Sequence, residues 1–299
     1  MSFGYQVLGF GSGSGITVTG GDRTATYGVY TVKVFTSTGS LVLSDELTGV
    51  DIAVIAGGGG ASQTISGGAG AGGVTQYTNQ TLSAGSHTVT VGAGANQANG
   101  SDSQFASLTA SDGGGRSGQY DAGSGYAGGS GGGAAAGGDP AGDPPSAVGG
   151  SATSGQGNDG GDGGDYPGGG GGFGAVGVDA ATSSKAGNGG AGGTTLWSMD
   201  ATNTSALLWA AQVGTNSSNV ELNTLGSDPG TSYFAGGGGG GHSADYGRAG
   251  AGGGGRGNLN DVTAAGHGIA ETGGGGGGRH TSYARGVGGS GCCIIRYTL

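Results

Sequence analysis

The chain has 299 residues, and 85 are glycine, about fourfold the usual share. Only 9% of the residues are charged, and the formal net charge is −10. This acidic balance argues against nucleic-acid binding, which needs clustered Lys and Arg. No apolar run reaches the roughly 18 residues of a membrane-spanning helix, so no membrane insertion is expected.

Glycine at this level usually marks a flexible, low-complexity chain. Disordered chains also carry many charges and few aromatics, whereas this one has 11 Tyr, 6 Phe and 2 Trp. Collagen needs Gly at every third position and abundant Pro; the chain has 5 Pro and no such strict period. The remaining ordered option is polyproline-II geometry built from glycine. That helix has three residues per turn and no internal hydrogen bonds. Its buried N–H and C=O groups must therefore bond to neighbouring segments. Glycine runs separated by turns predict a bundle of polyglycine-II helices.

Residues 1–29 are short, mixed and punctuated by Gly and Ser. They read as an attachment or oligomerisation segment, with a brief strand at 16–19. They lack the basic and apolar regions of a secretory signal, so assembly in a cytoplasm is expected. A β-rich domain is expected over 30–112, with strands at 30–35, 41–43, 50–56, 73–78, 87–91 and 105–110, bounded by turn residues. Residues 113–291 read as the glycine-rich bundle with an insert at 194–234, in which 205–212 could form a short helix. Residues 292–299 read as a closing strand. Adjacent Cys292 and Cys293 would point to opposite faces of that strand, as small buried hydrophobes rather than a disulfide. The expected fold is all-β plus a polyglycine-II bundle, with both chain ends forming a small sheet or sandwich and almost no α-helix.

Asp159, Asp162 and Asp165 recur every third residue. In a three-residue helix they would stack on one face ~9.3 Å apart, too far to share one Ca²⁺ with ligands at ~2.3–2.6 Å. A solvated face is favoured, with calcium as the weaker reading and no metal site or cofactor assigned. His242, His267 and His280 follow or separate glycine runs and match no ligand spacing. Nucleotide-binding and nucleophile-elbow motifs are absent from the sequence, so no enzyme is expected. The candidate binding residues are the aromatics among the glycines: Tyr120, Tyr126, Tyr166, Phe173, Trp197, Trp209, Tyr233, Phe234, Tyr246 and Tyr283. Tyr and Trp supply rigid contact area at low entropic cost; the alternative is that they fill gaps at the rim of the bundle.

Phe35-Thr36-Ser37-Thr38-Gly39-Ser40-Leu41, followed by Gly49-Val50-Asp51-Ile52-Ala53-Val54-Ile55-Ala56-Gly57-Gly58-Gly59-Gly60, resembles the opening of glycine-rich domains in bacteriophage tail-fibre and virion structural proteins. The strand pair from Gly72 to Gly94, and the segment from Ser103 into residues 113–115, are similar to the parts that follow. Gly288-Gly289-Ser290-Gly291-Cys292-Cys293-Ile294-Ile295-Arg296-Tyr297 resembles the closing motif of that family, with Cys-Cys at an apolar pair. The resemblance covers most of residues 30–299; the insert has no counterpart in it. It implies a virion-located, non-enzymatic fibre or adhesin that meets a host-surface receptor, with glycan as one receptor class. Its other partners would be virion proteins, and a homotrimer is expected. The competing readings are a decoration fibre that binds no receptor and an ice-binding polyglycine-II protein.

Overall fold

The computed structural model describes residues 15–120, 123–137, 147–180, 185–197, 199, 203, 207, 234–243, 245–258, 264–280 and 284–299. Its strands form two antiparallel sheets. The smaller has the order β1 (Val18–Thr19), β4 (Gly39–Leu43), β7 (Gly85–Thr90), β8 (Gln104–Phe105). The larger has the order β2 (Arg23–Tyr27), β3 (Tyr30–Phe35), β9 (Cys292–Tyr297), β5 (Leu47–Ile55), β6 (Val74–Leu82). The last strand of the chain thus fills the centre of the larger sheet, hydrogen-bonded to β3 on one side and β5 on the other.

Side chains alternate between the faces of a strand, and this alternation builds two cores. Cys293, Ile295 and Tyr297 join Phe35, Val50, Ile52 and Val54 on the inner face of the larger sheet. They meet Leu41, Leu43, Val89 and Phe105 of the smaller sheet, making a sandwich. Cys292 and Ile294 join Val32, Val34, Ala53, Ile55 and Val74 on the opposite face. That face is covered by Leu196, Trp197, Leu207 and Phe234. All six residues of β9 are buried. Both cysteines are free and buried in separate clusters, as the sequence suggested. Burial pushes both thiols well above the usual range.

Two sequence expectations change. Arg23–Tyr27, for which no strand is expected from the sequence, is a strand of the larger sheet, while the brief strand expected at 16–19 is found at Val18–Thr19 in the smaller one. The strand expected over 105–110 is confined to Gln104–Phe105. The short helix expected at 205–212 falls, Leu207 aside, outside the described residues.

Beyond the sandwich, the glycine-rich segments run back and forth and bond to one another mainly through their backbones. The segment 66–73 shows the rule. Ser66, Ala69 and Gly72 donate to the carbonyls of Arg279, Gly276 and Gly273. Gly68 and Ala71 donate to Gly168 and Gly171, and Gly70 and Gly73 donate to Gly115 and Asp112. Its carbonyls accept from Gly241 and Gly238, from Gly133 and Ser130, and from Gly59, giving six neighbouring segments in all. Each repeated partnership advances by three residues on both sides. Neighbours run parallel in one case (68 to 168, 71 to 171) and antiparallel in others. Side chains would block such approach: a Cβ on Gly68 would overlap the carbonyl of Gly238, and one on Gly70 that of Ser130.

Gly68→Ala is therefore expected to destabilise the protein by more than about 3 kcal/mol, the upper range of overpacking costs, because two backbones must separate. Gly164→Ala places its Cβ 3.7 Å from the nearest atom, the Ala180 carbonyl oxygen, and should change stability by less than about 0.5 kcal/mol. Urea unfolding of both variants checks the contrast.

Candidate recognition surface

The hydrogen-bond register gives every segment a direction. Segment 57–61 leaves the sandwich from β5, and 66–73 returns to it through β6. Tyr120 donates its N–H to Thr64 (3.1 Å), Ser66 to Arg279 (2.8 Å) and Gly241 to Ser66 (3.1 Å). Residues 64–66, 120, 241 and 279 therefore share one level, at an end of the array remote from the sandwich. Gly68 pairs with Gly168, which places Tyr166 at the same end.

Three rings meet there. Tyr166 and His242 pack edge to face with centroids 4.2 Å apart, and His242 and His280 do the same at 5.3 Å. Buried Asn258 ties two of the strands of chain together. Its Oδ1 accepts the His280 N–H at 2.8 Å, and its backbone carbonyl accepts the His242 N–H at 3.3 Å. Burial lowers the His242 pKa, His280 lowers it further, and Asp245 opposes both. The third histidine lies elsewhere: His267 Nδ1 accepts the Val287 N–H at 3.0 Å.

The ten aromatic candidates divide. Tyr120 and Tyr126 are exposed, at 42% and 47%. Tyr126 lies on the flank, with the Arg116 guanidinium 4.1 Å from its ring centroid. Tyr166 and Tyr246 are half-buried near the distal end. Phe173, Trp197 and Phe234 sit at the opposite end. Trp197 and Phe234 belong to the core over the larger sheet, and Phe173 packs against it, its ring 5.9 Å from that of Phe234. Trp197 and Phe234 are buried there and Phe173 is half-buried, because the outer face of the sheet needs an apolar cover. Trp209, Tyr233 and Tyr283 lie outside the described residues.

Trp197 also shares in a polar clamp. The Arg296 guanidinium lies 4.6 Å from the Trp197 ring centroid and 4.7 Å from that of Tyr30, and its Nε donates to Asp51 at 2.8 Å. Asp51 and Arg296 are opposite each other in the β5–β9 register. This clamp fixes the start of the insert on the sheet.

The aspartates have a structural task. Asp159 Oδ1 accepts the Ala152 N–H at 2.7 Å, and Asp162 Oδ1 accepts the Gly149 N–H at 2.8 Å. The same two segments are joined by Gly160 to Gly150 and Gly163 to Ala147. The carboxylates thus continue the three-residue period where no further carbonyl lies alongside. Asp102, Asn99 and Asn188 do the same for Gly113, Arg116 and Arg248. Asp165 is exposed. Beyond the period, nothing in the sequence points to this role. Asn258 directly follows Gly257, and no motif in the sequence marks it.

A histidine whose folded pKa is depressed favours the neutral form. Its contribution weakens stability as pH falls below the unfolded value of ~6.5, and the loss ends at the folded pKa. His242→Gln should remove this shallow drop, which stays under about 1 kcal/mol because the imidazole is only partly buried. Thermal melts between pH 7 and pH 5 of both proteins check it.

A family model described as a glycine-rich domain matches residues 33–298. No curated protein matches the chain. The match runs from within β3 to the end of β9, across the sandwich and the whole hydrogen-bonded array, and the chain belongs to this glycine-rich domain family.

Proposed function

We propose that the chain is a non-enzymatic adhesin of a bacteriophage fibre, in which a bundle of polyglycine-II helices carries a receptor-contacting tip. The three-residue hydrogen-bond register and the mixture of parallel and antiparallel neighbours support the helix type, since that helix repeats every three residues and has no internal bonds. The opening and closing motifs that resemble virion glycine-rich domains support the setting.

The observation that carries the reading is the placement of Tyr120, Tyr166, His242 and His280 at the end remote from the sandwich. Short turns on a rigid scaffold are the common arrangement for recognition. Aromatic side chains lose little entropy on binding. The sandwich end, where strands from both halves of the chain converge, is left for attachment to other virion proteins.

The purified chain should bind saturably to cells of the parent phage's host and compete with virions for adsorption. Tyr120→Ala combined with Tyr166→Ala should weaken that binding about tenfold or more, a loss of about 1.4 kcal/mol, while the chain stays folded at the assay temperature. Adsorption that is indifferent to saturating chain, or a particle reconstruction with no density for it, overturns the reading.

A further inference from the structure

A cavity of about 460 Å³ opens on the flank near the distal end, lined by Asp179, Lys185, Asn188, Asp245, Tyr246 and Arg248 among others. We propose that it binds a neutral hexopyranose, such as the terminal sugar of a surface glycan. This rests on the adhesin reading and names the ligand class for one part of its surface.

The walls are held by the array. Val178 donates its N–H to Asn188 (2.9 Å), Ala186 to Asp245 (3.1 Å) and Gly189 to Arg248 (2.9 Å), so three segments are locked side by side. The cavity is therefore preformed, which reduces the ordering cost of binding. Its volume falls within the ~300–1,000 Å³ of small-molecule sites.

The lining matches a polyhydroxylated ring. Asn188 Oδ1 accepts the Arg248 backbone N–H at 2.8 Å. This assigns the oxygen of the amide and leaves its NH₂ as a pair of donors. Asp179 Oδ1 accepts the Asp162 N–H at 2.8 Å, which fixes that carboxylate in place. Lys185 Nζ and Asp245 Oδ2 are 3.3 Å apart with side chains 71% and 44% exposed. Such a solvent-exposed pair is weak, and sugar hydroxyls can bridge or replace it. Vicinal hydroxyls both donate and accept, so they can engage a carboxylate and a cationic or amide donor together. Tyr246 offers a flat apolar ring for the C–H face of a pyranose.

Charge decides the class of sugar. Lys185 and Arg248 balance Asp179 and Asp245. A phosphate or uronate would gain two cations but face two carboxylates. A neutral ring gains hydrogen bonds from all four groups without that repulsion.

Saturation-transfer NMR on the intact chain tests this with the methyl glycosides of glucose, galactose, mannose and N-acetylglucosamine, with glucuronate and inorganic phosphate as charged comparators. At least one neutral glycoside should bind with a Kd of roughly 1 mM, more tightly than either comparator. Tyr246→Ala and Arg248→Gln should each weaken it about tenfold, while Tyr246→Phe retains it. Should Tyr246→Ala fail to fold, Arg248→Gln and Tyr246→Phe decide. No transfer to any neutral glycoside, stronger binding of glucuronate or phosphate, or binding unchanged in Arg248→Gln overturns the proposal. Cell adsorption separates the two readings. Adsorption that survives with no sugar binding overturns the cavity alone, and sugar binding without adsorption overturns the adhesin alone.

Discussion

Every other feature of the glycine-rich region depends on one interaction: the hydrogen bond between the backbones of segments made of glycine and small residues. A strand in a sheet has two hydrogen-bonding neighbours, but segment 66–73 has six. Three accept from its N–H groups and three donate N–H groups to its carbonyls. That arrangement is possible only where a Cβ is absent in the direction of each neighbour. Glycine is therefore the packing residue of this core, although it normally weakens regular structure through its backbone entropy. The cost of ordering ~1–2 kcal/mol of backbone entropy per residue is met by partners on all sides rather than by buried apolar side chains.

The sandwich makes that array possible. Glycine segments cannot choose partners by side-chain shape, so something else must set their register. β5 runs directly into 57–61, β6 continues 66–73, and β9 continues 284–291. Each of these segments leaves a sheet whose register is fixed by alternating apolar residues. β9 lies between β3 and β5, so the chain cannot complete its larger sheet until the last segment has returned. The Arg296 clamp on Tyr30, Trp197 and Asp51 ties the insert to the same sheet. At several places in the array, Asp and Asn side-chain oxygens accept the N–H in place of a backbone carbonyl.

Much of this could be read in the sequence, and the failures have physical causes. The apolar alternation of β3, β5 and β9, and the burial of both cysteines, follow from short-range pattern. β2 is hard to read because Arg23-Thr24-Ala25-Thr26-Tyr27 alternates only weakly, with Ala25 and Tyr27 alone packing against the core. Its signal was the two-residue Gly28-Val29 turn, where Gly28 takes φ 60° and Tyr27 pairs with Tyr30. The three-residue recurrence of Asp159 and Asp162 was seen, but not its partner, because a single sequence does not say which segment lies alongside. The aromatics looked alike in sequence. Only the fold separates Phe173, Trp197 and Phe234, which seal a sheet, from Tyr120 and Tyr126, which face solvent. The meeting of Tyr166, His242 and His280 comes from residues 114 apart or fewer in chain order and depends wholly on register.

Native-state hydrogen exchange tests the central claim most directly. If the glycine array is the core, the amides of Gly68, Gly70 and Gly238 exchange only through global unfolding, as slowly as those of β9. Exchange of these glycine amides at near-unprotected rates, while β9 stays protected, would contradict it: the sandwich alone would then be the folded core, with the glycine segments loosely attached to it.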